Sequence, residues 1–423
     1  MSPADWRELT KRPTSDFSLL RPAVQQIMED VHHRGDVALK ELTRRFDKAT
    51  IEKLEVSEQE IARAESVIPA ALAEAIRVAH GNIERFHRAS LYTDVRVETM
   101  PGVLCWKRRV PISPVGLYIP GGTAPLFSTV LMLGVPANIA GVQEVVLCTP
   151  PRPDGSIEPA ILFAAAHCGI KRIFRVGGAQ AIAAMTFGTE SIPAVRKIFG
   201  PGNQYVTCAK QLAQEYGVAI DMPAGPSELA IIADDSANAS FVAADLLSQA
   251  EHGIDSQVVL LTTSASFAER VVTEMEIQCS RLPRHAIATV ALAQSRILIA
   301  PSLDAAVQFV NEYAPEHLII NTANPEALGA QVTCAGSVFL GAYSPESVGD
   351  YASGTNHVLP TGGFAAASGG VSTESFLKSI TYQTLSPDGL RALGQTVATM
   401  AEQEGLEGHR RAVTIRLEQL DER

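Results

Sequence analysis

Four features are missing from this 423-residue sequence: a Lys- or Arg-rich stretch, closely spaced cysteines, an apolar run clean enough to cross a membrane, and the glycine fingerprint G-x-G-x-x-G. Each absence excludes something. With no basic patch and a formal net charge of −11, the chain lacks what neutralises phosphate, so nucleic acid is not expected as a partner. The opening residues Met1 to Pro13 are polar and charged with no apolar h-region, so no secretory signal is expected and the location reads as cytoplasmic. The longest apolar stretch, Pro125 to Val142, is interrupted by Ser128, Thr129, Pro136 and Asn138 and reads as a buried helix rather than a membrane span. Cys105, Cys148, Cys168, Cys208, Cys279 and Cys334 are far apart, which excludes a thiolate metal motif and fits reduced cysteines with packing roles.

What is present is an apolar content of 46%, with charges of both signs scattered along the chain, as in a globular protein of two or three domains. Leu20 to Phe46 and Ala70 to His87 carry apolar residues at helical intervals. Short strand-like runs follow at Val103 to Trp106 and Val115 to Ile119. From about Glu144 the chain alternates β-branched runs with amphipathic ones: Val145–Cys148, Ile157–Cys168, Ile173–Val176 and Ala179–Phe187. The rhythm returns at Leu229–Ala233, Phe241–Ala250, Val258–Leu261, Phe267–Leu282, Ile297–Ala300, Ala305–Tyr313 and Leu318–Ile320. This is the βαβ pattern of parallel sheets, so the expected class is α/β with two related parallel-sheet domains. The Pro- and Gly-rich run Asp221 to Ser227 has the composition of a crossing between them. Beyond about Gly370 the pattern reads as helical, ending in a charged tail, Leu390 to Arg423, too short for a core of its own. Such a tail must pack on this chain or on a partner.

Several segments carry chemistry-bearing residues. Gly121-Gly122, Gly177-Gly178 and Gly200-Pro201-Gly202-Asn203 each stand at a strand-to-helix junction, where a glycine pair is either a plain turn or an anion site made of backbone N–H groups. Gln249 and His252, three apart at the end of a helix in Ser248 to Gly253, either cap it or share one metal ion. Glu316 and His317 place an acid beside an imidazole where a helix gives way to a strand, a pair suited to proton transfer unless it simply faces solvent. The stretch Ser344 to Pro360 is small, polar and without period, and reads as a long functional loop that offers Asp350 and His357. Composition does not single out Glu404 or His409 in the tail.

With these segments in view, the chain resembles the histidinol dehydrogenases over essentially its whole length. The resemblance rests on six runs in order: Val115 to Gly122, Phe199 to Asn203, Ala224 to Glu228, Gln249 to Gly253, Ala314 to Leu318 and Asp350 to Pro360. It implies two Rossmann-like domains without the usual glycine fingerprint, a helical N-terminal segment and a C-terminal helical tail. The implied division is a tail of 1–14, a metal and substrate domain of 15–118 with 227–370, a NAD domain of 119–226, and 371–423 reaching a partner subunit. It further implies one Zn²⁺ per subunit held by Gln249, His252, Asp350 and His409, with the tail histidine supplied across a homodimer. The implied reaction oxidises L-histidinol through the aldehyde to L-histidine with two NAD⁺. His317 is the implied acid–base group and Glu316 the group that activates water. Ser227, Glu404 and His357 carry over as substrate contacts, together with the ligands and His317; Tyr118, Gln180 and Asn203 carry over as NAD contacts.

Other readings use the same residues. Dehydrogenases of the same fold oxidise other small alcohols, including sulfonated diols, but the retained Glu404 and His409 favour histidinol. A zinc hydrolase would leave the glycine-paired junctions without purpose. A non-enzymatic binding scaffold would leave Glu316-His317 and the polar loop unexplained.

Overall fold

The computed structural model describes residues 6, 8–12, 17–91, 93–121, 125–222 and 225–422, so Gly122 and Ala224 of the motifs above lie outside the described residues. The chain divides into a larger unit, 1–90 with 112–376, and a smaller one, 91–111 with 377–423.

The early segment of the larger unit contains α1 (Phe17–Phe46), broken at Gly35, α2 (Glu58–Val67) and α3 (Ala70–Ala89). The start of α2 is set by a reciprocal cap: the Ser57 hydroxyl accepts from the Glu60 N–H, and the Glu60 carboxylate accepts from the Ser57 N–H.

In the smaller unit, β1 (Arg96–Met100) and β2 (Val103–Pro111) form an antiparallel sheet with β13 (Leu377–Leu385), in the order β1-β2-β13. The sequence pattern reads as helical beyond Gly370. The nine residues of β13 instead form a strand, because β2 supplies a partner along its whole length. Two helices close the unit, α14 (Pro387–Gln403) and α15 (Glu407–Asp421), and α15 buries no residue within this chain.

The larger unit holds two five-stranded parallel sheets. The first contains β3 (Val115–Tyr118), β4 (Val145–Thr149), β5 (Arg172–Arg175), β6 (Lys197–Phe199) and β7 (Ala219–Ile220), ordered β5-β4-β3-β6-β7. The second contains β8 (Glu228–Ala233), β9 (Gln257–Thr262), β10 (Arg296–Ile299), β11 (His317–Asn321) and β12 (Ser337–Leu340), ordered β10-β9-β8-β11-β12. The two orders are the same once each sheet is counted from its own first strand, as expected of related βαβ halves. Helices cover both faces, so β8 and β9 are buried at every residue and appear in sequence as continuous apolar runs rather than alternating ones.

Around the first sheet lie α4 (Phe127–Ile139), α5 (Pro159–His167), α6 (Gly178–Phe187) and α7 (Gln204–Glu215). The run expected to be a buried helix is α4, with ten of its thirteen residues buried; no helix among the described residues is long and apolar enough to cross a membrane. The expected grouping sets 15–118 with 227–370, but α1 packs on α6 and α7, α2 on α5, and α3 on α4. The reason is the apolar stripe of α1, Val24, Met28, Val31 and Leu39, which joins the core around Phe174 and Ile182. The second sheet is flanked by α8 (Ala239–Ala250), α9 (Ala265–Cys279), α10 (His285–Leu292), α11 (Leu303–Tyr313) and α12 (Pro325–Gly329).

The expected long loop at 344–360 is only partly irregular. It contains a short helix, α13 (Glu346–Tyr351), after which the chain crosses the helices of the first sheet. Asn82 Nδ2 on α3 donates to Ala352 O at 2.9 Å, and Asn356 Nδ2 donates to Met132 O on α4 at 2.6 Å.

Candidate active site

His317 is the first residue of β11 and Glu316 immediately precedes it, so both stand at the N-terminal edge of the second sheet. Both are buried, at 4% and 6% exposure. His317 Nε2 lies 3.3 Å from Asp350 Oδ1, and Nδ1 lies 3.7 Å from Glu316 Oε2 and 3.9 Å from Glu346 Oε1. Neither ring nitrogen has an aligned hydrogen bond. Glu316 is held through Oε2, which accepts from the Glu228 N–H at 2.9 Å. Burial pushes the Glu316 carboxyl up to about 8. For His317, burial disfavours the imidazolium, but the carboxylates of Glu346, Glu316 and Asp350 outweigh it and raise the ring to about 10.

Three buried carboxyl groups, when ionised, carry more negative charge than one imidazolium answers, and this is the condition a divalent cation relieves. Ligand atoms of His317, Glu346 and Asp350 lie within 4.8 Å of one another. Gln249, in the last turn of α8, is 1% exposed, and both its amide oxygen and its amide nitrogen are buried without a partner. A buried primary amide with nothing to bond is costly, and a ligand at Oε1 removes part of that cost. His252 follows the helix end, exposed, with Nδ1 3.0 Å from Ser248 O, which leaves Nε2 as its outward-facing donor atom. His357 is tied between Thr129 Oγ1, 3.2 Å from its Nε2, and Asp350 O, 2.7 Å from its Nδ1.

A second constellation lies at the other end of the first sheet, beyond the C-terminal ends of its strands. Tyr118, Gln180 and Asn203 line one cavity of about 660 Å³ with Thr149, Gly178 and Asp47. The Tyr118 hydroxyl accepts from the Gly178 N–H at 3.0 Å at the start of α6, and Asn203 Oδ1 caps α7 by accepting from Tyr205 N and Val206 N. Gly200 has φ +124, and a Cβ there would sit 2.0 Å from Tyr118 O, so only glycine fits. Its loop is clamped at both ends of the residue: Asp221 Oδ2 accepts from Gly200 N at 2.8 Å, and Lys210 Nζ donates to Gly200 O at 2.8 Å while pairing with Asp221 at 2.5 Å.

The histidinol dehydrogenase family model matches residues 10–417. The chain belongs to the histidinol dehydrogenase family. It is accordingly an oxidoreductase of histidine biosynthesis. Relatives include the histidinol dehydrogenase of Bacteroides fragilis strain YCH46, 54% identical over 417 residues that span 99% of this chain and 97% of that one. The Bacteroides thetaiotaomicron histidinol dehydrogenase is 54% identical over 419 residues, spanning 99% and 98%. The crystal structure of histidinol dehydrogenase from Elizabethkingia anophelis superposes with a TM-score of 0.97 at 50% identity, covering 100% of this chain and 97% of that one.

Set beside the residues expected of a histidinol dehydrogenase, the larger unit gathers Glu316, His317 and Asp350 into one cluster, tied to His357 through Asp350 O, and puts Tyr118, Gln180 and Asn203 around one cavity. Ser227 is half-buried just before β8, its carbonyl accepting from Gln257 N at 3.2 Å. Glu404 and His409 are exposed residues of the smaller unit, at the C-terminal end of α14 and in the first turn of α15. Sequence reasoning missed Glu346, although Glu346 and Asp350 are four apart, the spacing that puts two carboxylates on one helical face. It also missed Asp47, whose Oδ2 is buried without a partner and whose carboxyl burial pushes up to about 6. Lying just past the end of α1, Asp47 carries no sequence signal.

Proposed function

We propose that this chain catalyses the NAD-dependent, four-electron oxidation of L-histidinol, through the aldehyde, to L-histidine, with one zinc ion per subunit. The observation that carries the reading is the buried Glu316-His317 pair beside the carboxylates of Glu346 and Asp350, a set whose chemistry fits a cation, as does the buried, unpartnered amide of Gln249. The proposed ligands are Gln249, His252, Asp350 and His409 of the partner subunit. When bound, the zinc ion would orient the imidazole and amino nitrogens of the substrate. The cavity lined by Tyr118, Gln180 and Asn203 would hold NAD⁺, two molecules in succession, each of which would supply the acceptor for one hydride.

His317 is the proposed base that takes the alcohol proton as hydride leaves, and it acts again on the hydrated aldehyde. The surrounding carboxylates of Glu346, Glu316 and Asp350 favour its protonated form over burial, which opposes it. Glu316 is the proposed base for the water that adds to the aldehyde. Its Oε2 is engaged by the Glu228 N–H, which orients the carboxylate. Ser227, His357 and Glu404 of the partner subunit are proposed substrate contacts. The proposed homodimer draws support from α15, which carries His409 and has no fully buried residue of its own within this chain.

The test is NADH formation at limiting L-histidinol by zinc-loaded and chelator-treated protein. About two NADH per histidinol, lost on metal removal, is the expected result; no NADH from folded, metal-replete protein refutes the reading. Sharing of sites is tested by mixing His317→Ala and His409→Ala subunits. Random exchange makes half the dimers hybrid, each with one intact site, so about a quarter of wild-type activity returns. No recovery in verified hybrids refutes sharing.

A further inference from the structure

Arg12 lies before α1 in the chain, yet its guanidinium reaches the segments behind the Glu316-His317 pair. Nε and Nη2 donate to Glu228 Oε1 and Oε2 at 2.5 and 2.9 Å. Nη2 also donates to Tyr313 O and, at 3.4 Å, to Ala314 O, and the guanidinium carbon lies 4.0 Å from the centre of the Tyr313 ring. Glu228 in turn accepts from the Gly362 N–H at 2.8 Å, and its own N–H donates to Glu316 Oε2 at 2.9 Å. Ala314, two residues before Glu316, is held in the left-handed region at φ 48, which a residue with a Cβ adopts only when its surroundings impose it.

Arg12 and Glu228 together therefore join three segments: the start of β8, the turn from α11 to β11, and the chain at Gly362. These strands run away from the cluster, and among the described residues the hydrogen bond that holds the Glu316 carboxylate comes from the start of β8. Glu316 depends on the single N–H of Glu228, whose position depends on what its side chain is tied to.

We propose that Arg12 is a positioning residue for Glu316, acting through Glu228 and the 313–314 turn, and that it serves the water-requiring second oxidation more than the first. The inference rests on the proposed role of Glu316 in activating water. A bidentate, planar donor is needed because one group must engage two carboxylate oxygens and a carbonyl together, which lysine cannot reproduce.

The experiment compares wild type, Arg12→Ala, Arg12→Lys and the control Lys11→Ala as full-length, zinc-loaded protein. Rates are measured from histidinol and from the amino aldehyde supplied directly, and released aldehyde is trapped with semicarbazide. Arg12→Ala should slow aldehyde oxidation roughly 10- to 100-fold, the range a small misplacement of a reacting group produces. Alcohol oxidation should stay within about threefold of wild type and KM should change little, so NADH per histidinol falls from two towards one, with trapped aldehyde making up the difference. Arg12→Lys should recover only part of the loss, and Lys11→Ala should behave as wild type. Equal rates in folded Arg12→Ala, or equal slowing of both steps with full recovery by lysine, overturns the proposal. A readout independent of turnover separates it from the function reading: in a crystal structure of Arg12→Ala, Glu316 Oε2 should have left the Glu228 N–H. If it has not, the proposal fails even where histidinol proves to be the substrate. If it has, the positioning role stands even where another alcohol is oxidised.

Discussion

The two parallel sheets share one strand order but use opposite ends. Around the first, the cavity lies beyond the C-terminal ends of β3, β4, β5 and β6, where parallel α/β sheets ordinarily bind ligands. Around the second, Ser227, Gln249, Glu316 and His317 stand where strands β8, β9 and β11 begin. The materials differ accordingly. At the cavity, tyrosine and asparagine side chains bond to main-chain N–H groups at helix starts, and glycine lets the backbone approach closely. The other cluster gathers ionisable side chains, Glu316, His317, Glu346 and Asp350, with Glu316 held by the Glu228 N–H, and is the proposed cation site. Adding a Cβ should therefore harm the cavity most, and removing a functional group should harm the cluster most.

The largest expected effect is at His317. His317→Ala should lower the rate of hydride transfer by roughly 100- to 10,000-fold, with NAD affinity little changed; stopped-flow NADH formation and calorimetric NAD titration measure the two. A parallel fall in NAD affinity would break the contrast between the two ends.

Gly200→Ala comes next. Its Cβ would sit 2.0 Å from Tyr118 O at a φ of +124, so the loop must move and NAD should bind at least about tenfold more weakly, with zinc content unchanged. Tyr118→Phe, which removes a side-chain group but keeps the backbone, should cost less, because one hydrogen bond is worth about 1 kcal/mol. If tyrosine proved the more sensitive position, the cavity would depend on side chains after all.

Gln249→Leu keeps the volume and removes the amide. It should weaken metal retention about tenfold or more in a chelator competition, and NAD binding should not respond. Since both amide atoms are unpartnered without a ligand, the metal-free variant should be no less stable than metal-free wild type.

The smallest effect concerns the helix that supports the cluster. His87, near the end of α3, is 1% exposed with both ring nitrogens unpartnered, and burial holds it well below its ordinary 6.5, at about 4. The native state refuses a proton that the unfolded chain accepts, so this contribution to stability is complete above pH 6.5 and is lost as pH falls through about 4. Between pH 7 and pH 5 the thermal midpoint should fall by about one to a few degrees more in wild type than in His87→Leu. An identical fall would show that His87 does not couple to acid stability.

The strands and helices of the two sheets were legible because their signals are local. The run Leu229 to Ala233 is a strand buried on both faces, and Ala179 to Phe187 is a helix packed on a sheet; each shows in a short window. The strand at Leu377–Leu385 was not legible, because its pairing partner β2 lies more than 250 residues earlier in the chain. The segments that carry Tyr118, Gln180, Asn203, Gln249, Glu316, His317 and Asp350 could be named in advance, since glycine junctions, helix ends and acid–imidazole neighbours are chain-local features.

The sequence by itself therefore determined which residues form the strands and helices of the two α/β layers, and it marked the short segments that hold the proposed site residues. Tertiary structure alone decided that the acid–base pair faces the N-terminal edge of its sheet, that Glu346 joins Asp350 beside His317, and that Arg12 reaches Glu228 across 216 positions. The physical reason is range. Periodicity and capping act within a few residues, whereas burial of a carboxylate, and the charge that must answer it, depends on segments the chain brings together only when it folds.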